Sequence, residues 1–164
     1  MKDTSMKLTD EMKSALRAGG DAGLVTYLTT SSIKGKCNIH LQPYTDIYGD
    51  DFILSPDLFA QKTKINLNEN RVGILTIGNP ANGESWAFRG PCNVFQWGHP
   101  PKFSFHGLSA GEVLEKWGDW NSLEKLDTVD ADIRPKAISQ RGVIVIKIDE
   151  VYDYSAAVSG KRIL

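Results

Sequence analysis

The sequence predicts a mainly β protein with short helices, in which six antiparallel strands close, or nearly close, into one barrel. Three observations carry this prediction. Runs rich in β-branched and aromatic residues recur along the chain, bounded by Gly, Pro, Asn and Asp. The links between the early runs are turns or single short helices, whereas a parallel sheet requires crossovers of a dozen or more residues. Six strands in an open sheet would expose edges that template aggregation, and closure removes them. A doubly wound sheet also needs a glycine-rich dinucleotide fingerprint, which is absent.

Taken in order, the first element is a helix over residues 9–18. Thr9 suits its cap, Asp10 and Glu11 suit its positive end, and Gly19-Gly20 ends it. Met12 and Leu16, four apart, form one narrow apolar face. From Gly23 the pattern turns to β: a strand over Leu24 to Thr29, a turn at Lys34-Gly35-Lys36, and a second strand over Asn38 to Ile47. Tyr48-Gly49-Asp50-Asp51 reads as a hairpin turn into the third strand, Phe52 to Ser55. Pro56-Asp57 breaks that strand, and a short helix follows from Gln61 to Asn68, with Ile65 and Leu67 available for burial. Strands over Val72 to Ile77 and Ser85 to Phe95 are joined by the turn-rich Gly78 to Gly83. Pro91 cannot donate a ladder hydrogen bond, which predicts a bulge or an edge there. Residues 98–140 form a loop and helical insertion: a Gly/Pro/His/Phe loop to 108, a helix over 109–126 with Val113, Leu114, Trp117 and Leu123 as apolar positions, and a polar link from Asp127 to Gln140. The last strand, Gly142 to Ile148, continues through Glu150 to Tyr154.

At 164 residues and 41% hydrophobic, the chain can bury one core, so a single domain over 1–164 is expected. The net charge is -1, with Lys and Arg scattered, which leaves no electrostatic footprint for nucleic acid or an anionic membrane. No apolar stretch follows Met1 to Ser5, and no run approaches the roughly 20 residues of a membrane span, so a cytoplasmic protein is expected. Cys37 and Cys92 lack CxxC partners and read as two reduced thiols. His40, His99 and His106 show no metal-ligand spacing, and no metal site is expected. Asp and Glu are dispersed on turns and helices, and no Ser-His-Asp order is present, so no catalytic residue is assigned.

The densest chemical signal runs from Ser55 to Leu67. A strand ending in a hydroxyl, a loop, then Lys62, Thr63 and Lys64 in the first helical turn together offer what a phosphate monoester needs: positive charge, donors and free amide N–H groups. By spacing alone, the same residues also read as solvent-facing lysines with Thr63 filling a turn, since no glycine-rich cradle is present.

Gln61-Lys62-Thr63-Lys64-Ile65-Asn66-Leu67 followed by Asn70-Arg71-Val72 resembles the pyridoxamine 5'-phosphate oxidase-like FMN-binding split-barrel superfamily. In that family a helix start of the form Lys-Thr-x-x-Asn-Leu, followed by Asn-x-x-Val, binds the FMN phosphate. Trp86 to Gly90 looks like the family's fifth strand and Val143 to Asp153 like its closing strand, so the resemblance covers most of residues 8–155. The Arg-Lys pair typical of the oxidase is Lys62-Thr63 here, which brings the chain nearer the small FMN-binding proteins. The resemblance implies a six-stranded split barrel with Greek-key character and FMN as cofactor. It places the phosphate at Ser55, Lys62, Thr63, Lys64 and Asn66, and the flavin ring beside His40, Gln42, Pro43 and Tyr44. It also implies a homodimer with FMN at the interface, to which Ser85 and Trp86 come from the other subunit. From the residues alone, Gln42 also reads as a solvated strand position, and Tyr44 and Trp86 read first as core or interface packing. Trp97 to Trp120 reads as a lid over the ring or as dimer packing. The implied function is a flavin-dependent oxidoreductase acting on a small organic substrate or NAD(P)H; a non-catalytic flavin-binding or electron-transfer protein, and a binding module without flavin, are the alternatives.

Overall fold

The computed structural model describes residues 8–58, 60–117, 142–155 and 161–163. The expectations for residues 118–140, Leu123 and Trp120 among them, lie outside the described residues. Helix α1 spans Asp10–Ala18. Thr9 Oγ1 accepts the Met12 N–H at 3.3 Å, and Gly19 ends the helix with a φ of 49°. A 3-10 turn, Gly19–Ala22, leads into β1 (Val25–Ser31) and its hairpin partner β2 (Cys37–Leu41). The expected second strand is broken: its far end is a separate strand, β3 (Asp46–Tyr48), which pairs with β4 (Phe52–Pro56) and not with β1. Pro43 accounts for part of the break, since it has no N–H to donate and its carbonyl is taken by Gly20 N–H at 3.0 Å. Helix α2 spans Gln61–Glu69, and β5 (Val72–Gly78) and β6 (Ser85–Gln96) form the next hairpin. A small hairpin of β7 (Ser104–Phe105) and β8 (Leu108–Ser109) turns through His106 and Gly107, both at positive φ. Then come α3 (Ala110–Trp117), β9 (Gly142–Lys147), β10 (Glu150–Asp153) and β11 (Lys161–Arg162).

The strands lie in the order β2-β1-β5-β6-β9-β4-β3, all antiparallel, with β10 on β6 and β11 on β10. Leu28 of β1 and Ile47 of β3 stand far apart in that order, yet they share one buried cluster with Leu75, Phe88, Ile144 and Ile53. Only a sheet curled on itself brings them together, which makes the architecture a barrel. Met12 and Leu16 of α1 and Leu67 of α2 join the same core. Because β9 is buried on both faces, its apolar run is continuous: Ile144 and Ile146 face the barrel, and Val143 and Val145 face a second cluster. That second cluster, with Phe52, Leu54 and Phe95, is covered by Phe105, Leu108, Ala110 and Val113. The described part of the 98–126 segment therefore packs on its own barrel wall.

Pro91 lies within β6, at the point where the strand changes neighbours from β10 to β9. From Arg89 to Cys92 the strand advances three residues while its neighbour advances four, from Ile146 to Glu150. The bulge expected at Pro91 is present, with the extra residue on the opposite strand. Gly90 permits it, since a Cβ there would lie 1.8 Å from the Lys147 carbonyl oxygen. No helix among the described residues is long and apolar enough to cross a membrane.

Candidate functional site

Asp57, fully buried, sets the corner between β4 and α2. Its N–H donates to the Gly142 carbonyl at 2.9 Å, which holds it to β9. Its Oδ1 accepts the Ala60 N–H at 3.1 Å and its Oδ2 accepts Lys64 Nζ at 2.8 Å, so one carboxylate fixes both the loop and the helix entry. The helix then docks on the barrel through polar side chains. Asn38 Nδ2 donates to Thr63 Oγ1, Asn66 Nδ2 to Thr30 Oγ1 and Asn70 Nδ2 to Ser31 Oγ, each at 3.1 Å. Thr63, Asn66 and Leu67 are buried, while Ile65, expected as an apolar anchor, is 51% exposed. At 100° per residue, Ile65 falls away from the face that the three buried residues define.

The start of α2 differs chemically from that of α1. Helix α1 has a side-chain cap and two acidic residues in its first turn; α2 begins at Ala60, which has no capping side chain of its own, has no acidic residue in its first turn, and of its backbone N–H groups presents only that of Ala60 to the Asp57 carboxylate. The N–H groups of Gln61, Lys62 and Thr63 have no acceptor within the helix, and together with the dipole they favour an anion. Lys62 is exposed in this turn and has no ion-pair partner among the described residues. Beside it, β2 presents Asn38 and His40, which share a face because side chains alternate along a strand. His40 Nδ1 lies 3.3 Å from Gln42 Nε2, a donor, so the neutral ring carries its proton on Nε2. Gln42, fully buried, has its Oε1 2.8 Å from Ser55 Oγ, and Ser55 Oγ is also 2.6 Å from the Tyr44 carbonyl. A hydroxyl has one proton, so Ser55 serves one of these acceptors at a time.

Asn38, His40 and Lys62 thus lie at the surface along β2 and the start of α2, with the buried Thr63, Gln42 and Ser55 hydrogen-bonded behind them. The remaining expected site residues sit elsewhere or are engaged. The Lys64 ammonium is bound by Asp57, and the Asn66 amide docks the helix while its Oδ1 has no partner in the structure. The Tyr44 ring lies in the second hydrophobic cluster, so only its backbone reaches Ser55. Pro43 is tied to the Gly19-Gly20 turn. Ser85 and Trp86 start β6, in the register of Gly78 and Ile77, and hence of Val25 and Thr26, at the far end of β1 from Thr30. Thr26 and Thr30 are about 14 Å apart along the strand, so one subunit does not bring Ser85 and Trp86 to α2. Asn38 and Asp57 were not singled out from the sequence. The signal for Asn38 was its place two residues before His40; for Asp57, its place at a strand exit three residues before a helix N-terminus.

Among the described residues, no group of His, Cys, Asp and Glu could hold a metal ion. The sequence matches no family model and no curated protein. Its structure is nevertheless similar to solved ones. HupZ of Group A Streptococcus aligns at a TM-score of 0.63 and 14% identity over 94% of this chain and 98% of that one. A putative pyridoxamine 5'-phosphate oxidase of Lactobacillus delbrueckii aligns at 0.60 and 14% over 93% and 99%. An FMN-binding protein of Syntrophomonas wolfei aligns at 0.54 and 20% over 88% and 87%. The chain has the fold of these split-barrel proteins.

Proposed function

We propose that this chain binds FMN, with the phosphate at the start of α2 and the flavin ring along β2. The observation that carries the reading is the first turn of α2, where the Gln61, Lys62 and Thr63 N–H groups have no helical acceptor and Lys62 has no ion-pair partner among the described residues. The Asp57 carboxylate is taken up by the Ala60 N–H and Lys64, so a phosphate monoester would supply acceptors to the remaining first-turn N–H groups and a counter-charge to Lys62. Lys62 contributes positive charge, the first-turn amides donate, and Thr63 adds a hydroxyl already oriented by Asn38. His40, held by the buried Gln42, offers the ring polar edge its Nε2–H as a donor. FMN, when bound, supplies hydride- and electron-transfer chemistry. The role of the chain is to grip and orient it and to keep water from one side. The fold similarity to an FMN-binding protein and a putative pyridoxamine 5'-phosphate oxidase supports the reading.

The reading extends to a homodimer that completes the site with Ser85 and Trp86 of a second copy. Exposed apolar side chains on the outer face of β1 and β2 support it: Tyr27 and Leu41 are paired in register, and Ile39 is next on the same face. The activity that suits such a site is oxidoreduction of a small organic substrate or NAD(P)H. A non-catalytic electron carrier would instead show no NAD(P)H turnover above that of free FMN.

FMN binding is tested by fluorescence titration of the purified protein, with its visible spectrum as a first check. Lys62→Ala should weaken FMN by about 1.5–3 kcal/mol, the range for a hydrogen bond to a charged group, and leave riboflavin nearly unchanged. Equal losses for both ligands, or no quenching of FMN by the wild-type protein, would overturn the assignment.

A further inference from the structure

We infer that the chain has a second anion site, separate from the flavin corner, in the polar cleft between α2 and the far half of β6. The cleft holds about 280 Å³ and is lined by Lys64, Asn68 and Arg71 on one side and by Asn93, His99 and Phe103 on the other. Three features give it its chemistry. Among the described residues no carboxylate lines it. The Lys64 charge is already balanced by Asp57, whereas Arg71 has no ion-pair partner among the described residues, so the net charge in the cleft is positive. The donors are also oriented: the Gln96 N–H is 3.1 Å from His99 Nδ1, which puts the proton of the neutral ring on Nε2. Phe103 fixes that ring, packing 4.9 Å from it while standing perpendicular to Phe95 at 5.8 Å. Asn68 and Asn93 add amide donors from the two walls.

A guanidinium, two amides and an imidazole lining one cleft, with no carboxylate among its described lining residues, suit an oxyanion, whether phosphate or carboxylate. The volume admits a small organic anion and is too small for a flavin. The cleft also faces away from Lys62. Residues 62 and 64 are about 200° apart around the helix, and the cleft takes the side of Lys64, Leu67 and Asn68. It therefore does not depend on the flavin reading.

The probes are inorganic phosphate and succinate, titrated separately at constant ionic strength with chloride as the control and followed by the backbone amide signals of Arg71, Asn93 and His99. One or both should give saturable shifts at these three residues that chloride does not give; which of the two does so identifies the class. Arg71→Ala should lower the affinity about tenfold or more, Arg71→Lys should restore part of it, and Lys62→Ala should leave it unchanged. Shifts that do not saturate, that chloride reproduces, or that survive Arg71→Ala overturn the site. Phosphate that competes with FMN, with the competition lost in Lys62→Ala, places the anion at the flavin corner; it overturns this proposal and leaves the flavin reading standing. Saturable Arg71-dependent binding in a protein that does not quench FMN does the reverse.

Discussion

Asp57 and Lys64 form a buried ion pair whose two halves are unequal, and the inequality yields a testable order of stabilities. Asp57 is wholly buried, whereas the Lys64 side chain is 19% exposed. Lys64→Met leaves a buried carboxylate with only the Ala60 N–H and no cation, a loss of about 3–5 kcal/mol for a broken buried pair. Asp57→Asn keeps the volume and the acceptor for Ala60, and the freed ammonium reaches water. It should cost only about 1.5–3 kcal/mol, the worth of a charge-assisted hydrogen bond. In a chain of 164 residues each kcal/mol shifts Tm by about 2–4 °C. Urea unfolding should place the variants in the order wild type, Asp57→Asn, Lys64→Met, at constant m-value. The double variant should be more stable than Lys64→Met alone, because the buried charge is gone. Losses that simply add in the double variant, or a Lys64→Met cost below about 0.5 kcal/mol, would refute the pair and leave Lys64 a free cation on the cleft side of α2.

Three further perturbations test other parts of the structure. A thiol reagent should modify one cysteine in the native protein and two in urea, because Cys37 is exposed while burial both hides Cys92 and pushes its pKa up; equal native rates for the two would contradict the burial. Gly90→Ala should cost at least about 3 kcal/mol, from the Cβ clash with the Lys147 carbonyl. Gly83→Ala should cost only about 1 kcal/mol, since there a positive φ is the sole obstacle; similar costs would remove the argument for close approach at the bulge. The Glu150 carboxyl lies below its usual pKa, held there by the Tyr152 hydroxyl and by Arg89 and Arg162. Its contribution to stability is complete above the ordinary glutamate range and is lost as pH falls through the lowered value. Glu150→Gln should therefore flatten the acid side of the stability-pH curve, and an unchanged acid limb would show that the carboxylate is not coupled to folding.

Much of the fold was legible because local signals agreed with the global one. Thr9, the acidic pair and Gly19 marked α1, and β-branched runs marked the strands. What could not be read depended on partners distant in sequence. Pairing of β3 with β4 alone splits the second strand, and nothing between Asn38 and Ile47 except Pro43 hints at it. Ile65 looked like an anchor because hydrophobicity favours burial, but the face of α2 is set by Thr30, Ser31 and Asn38, whose hydrogen bonds select Thr63, Asn66 and Asn70. At the site, the helix start that carries Lys62 and Thr63 was legible, whereas Gln42, readable as a solvated strand residue, is buried and bonded to His40 and to Ser55, the second of which is distant in sequence. The engagement of Lys64 was not legible either, because it requires Asp57 to be turned inward by a bond to Gly142 of the last long strand.

The manner in which α2 is held bears on what it can do. A helix docked by an apolar stripe can slide by a fraction of a turn at little cost, since dispersion contacts are non-directional. With Leu67 as its single buried aliphatic side chain, α2 is positioned instead by three side-chain hydrogen bonds at 3.1 Å and one ion pair at 2.8 Å. Such bonds weaken steeply with misalignment, so they fix both the depth and the rotation of the helix. The cost is visible in Asn66, whose Oδ1 is buried without a partner. Fixed rotation is what an anion site at the first turn requires, because the amide N–H groups and Lys62 can meet one phosphate only at one setting of the helix. The polar underside of α2, a poor choice for stability alone, is therefore consistent with a helix placed to present its N-terminus beside β2.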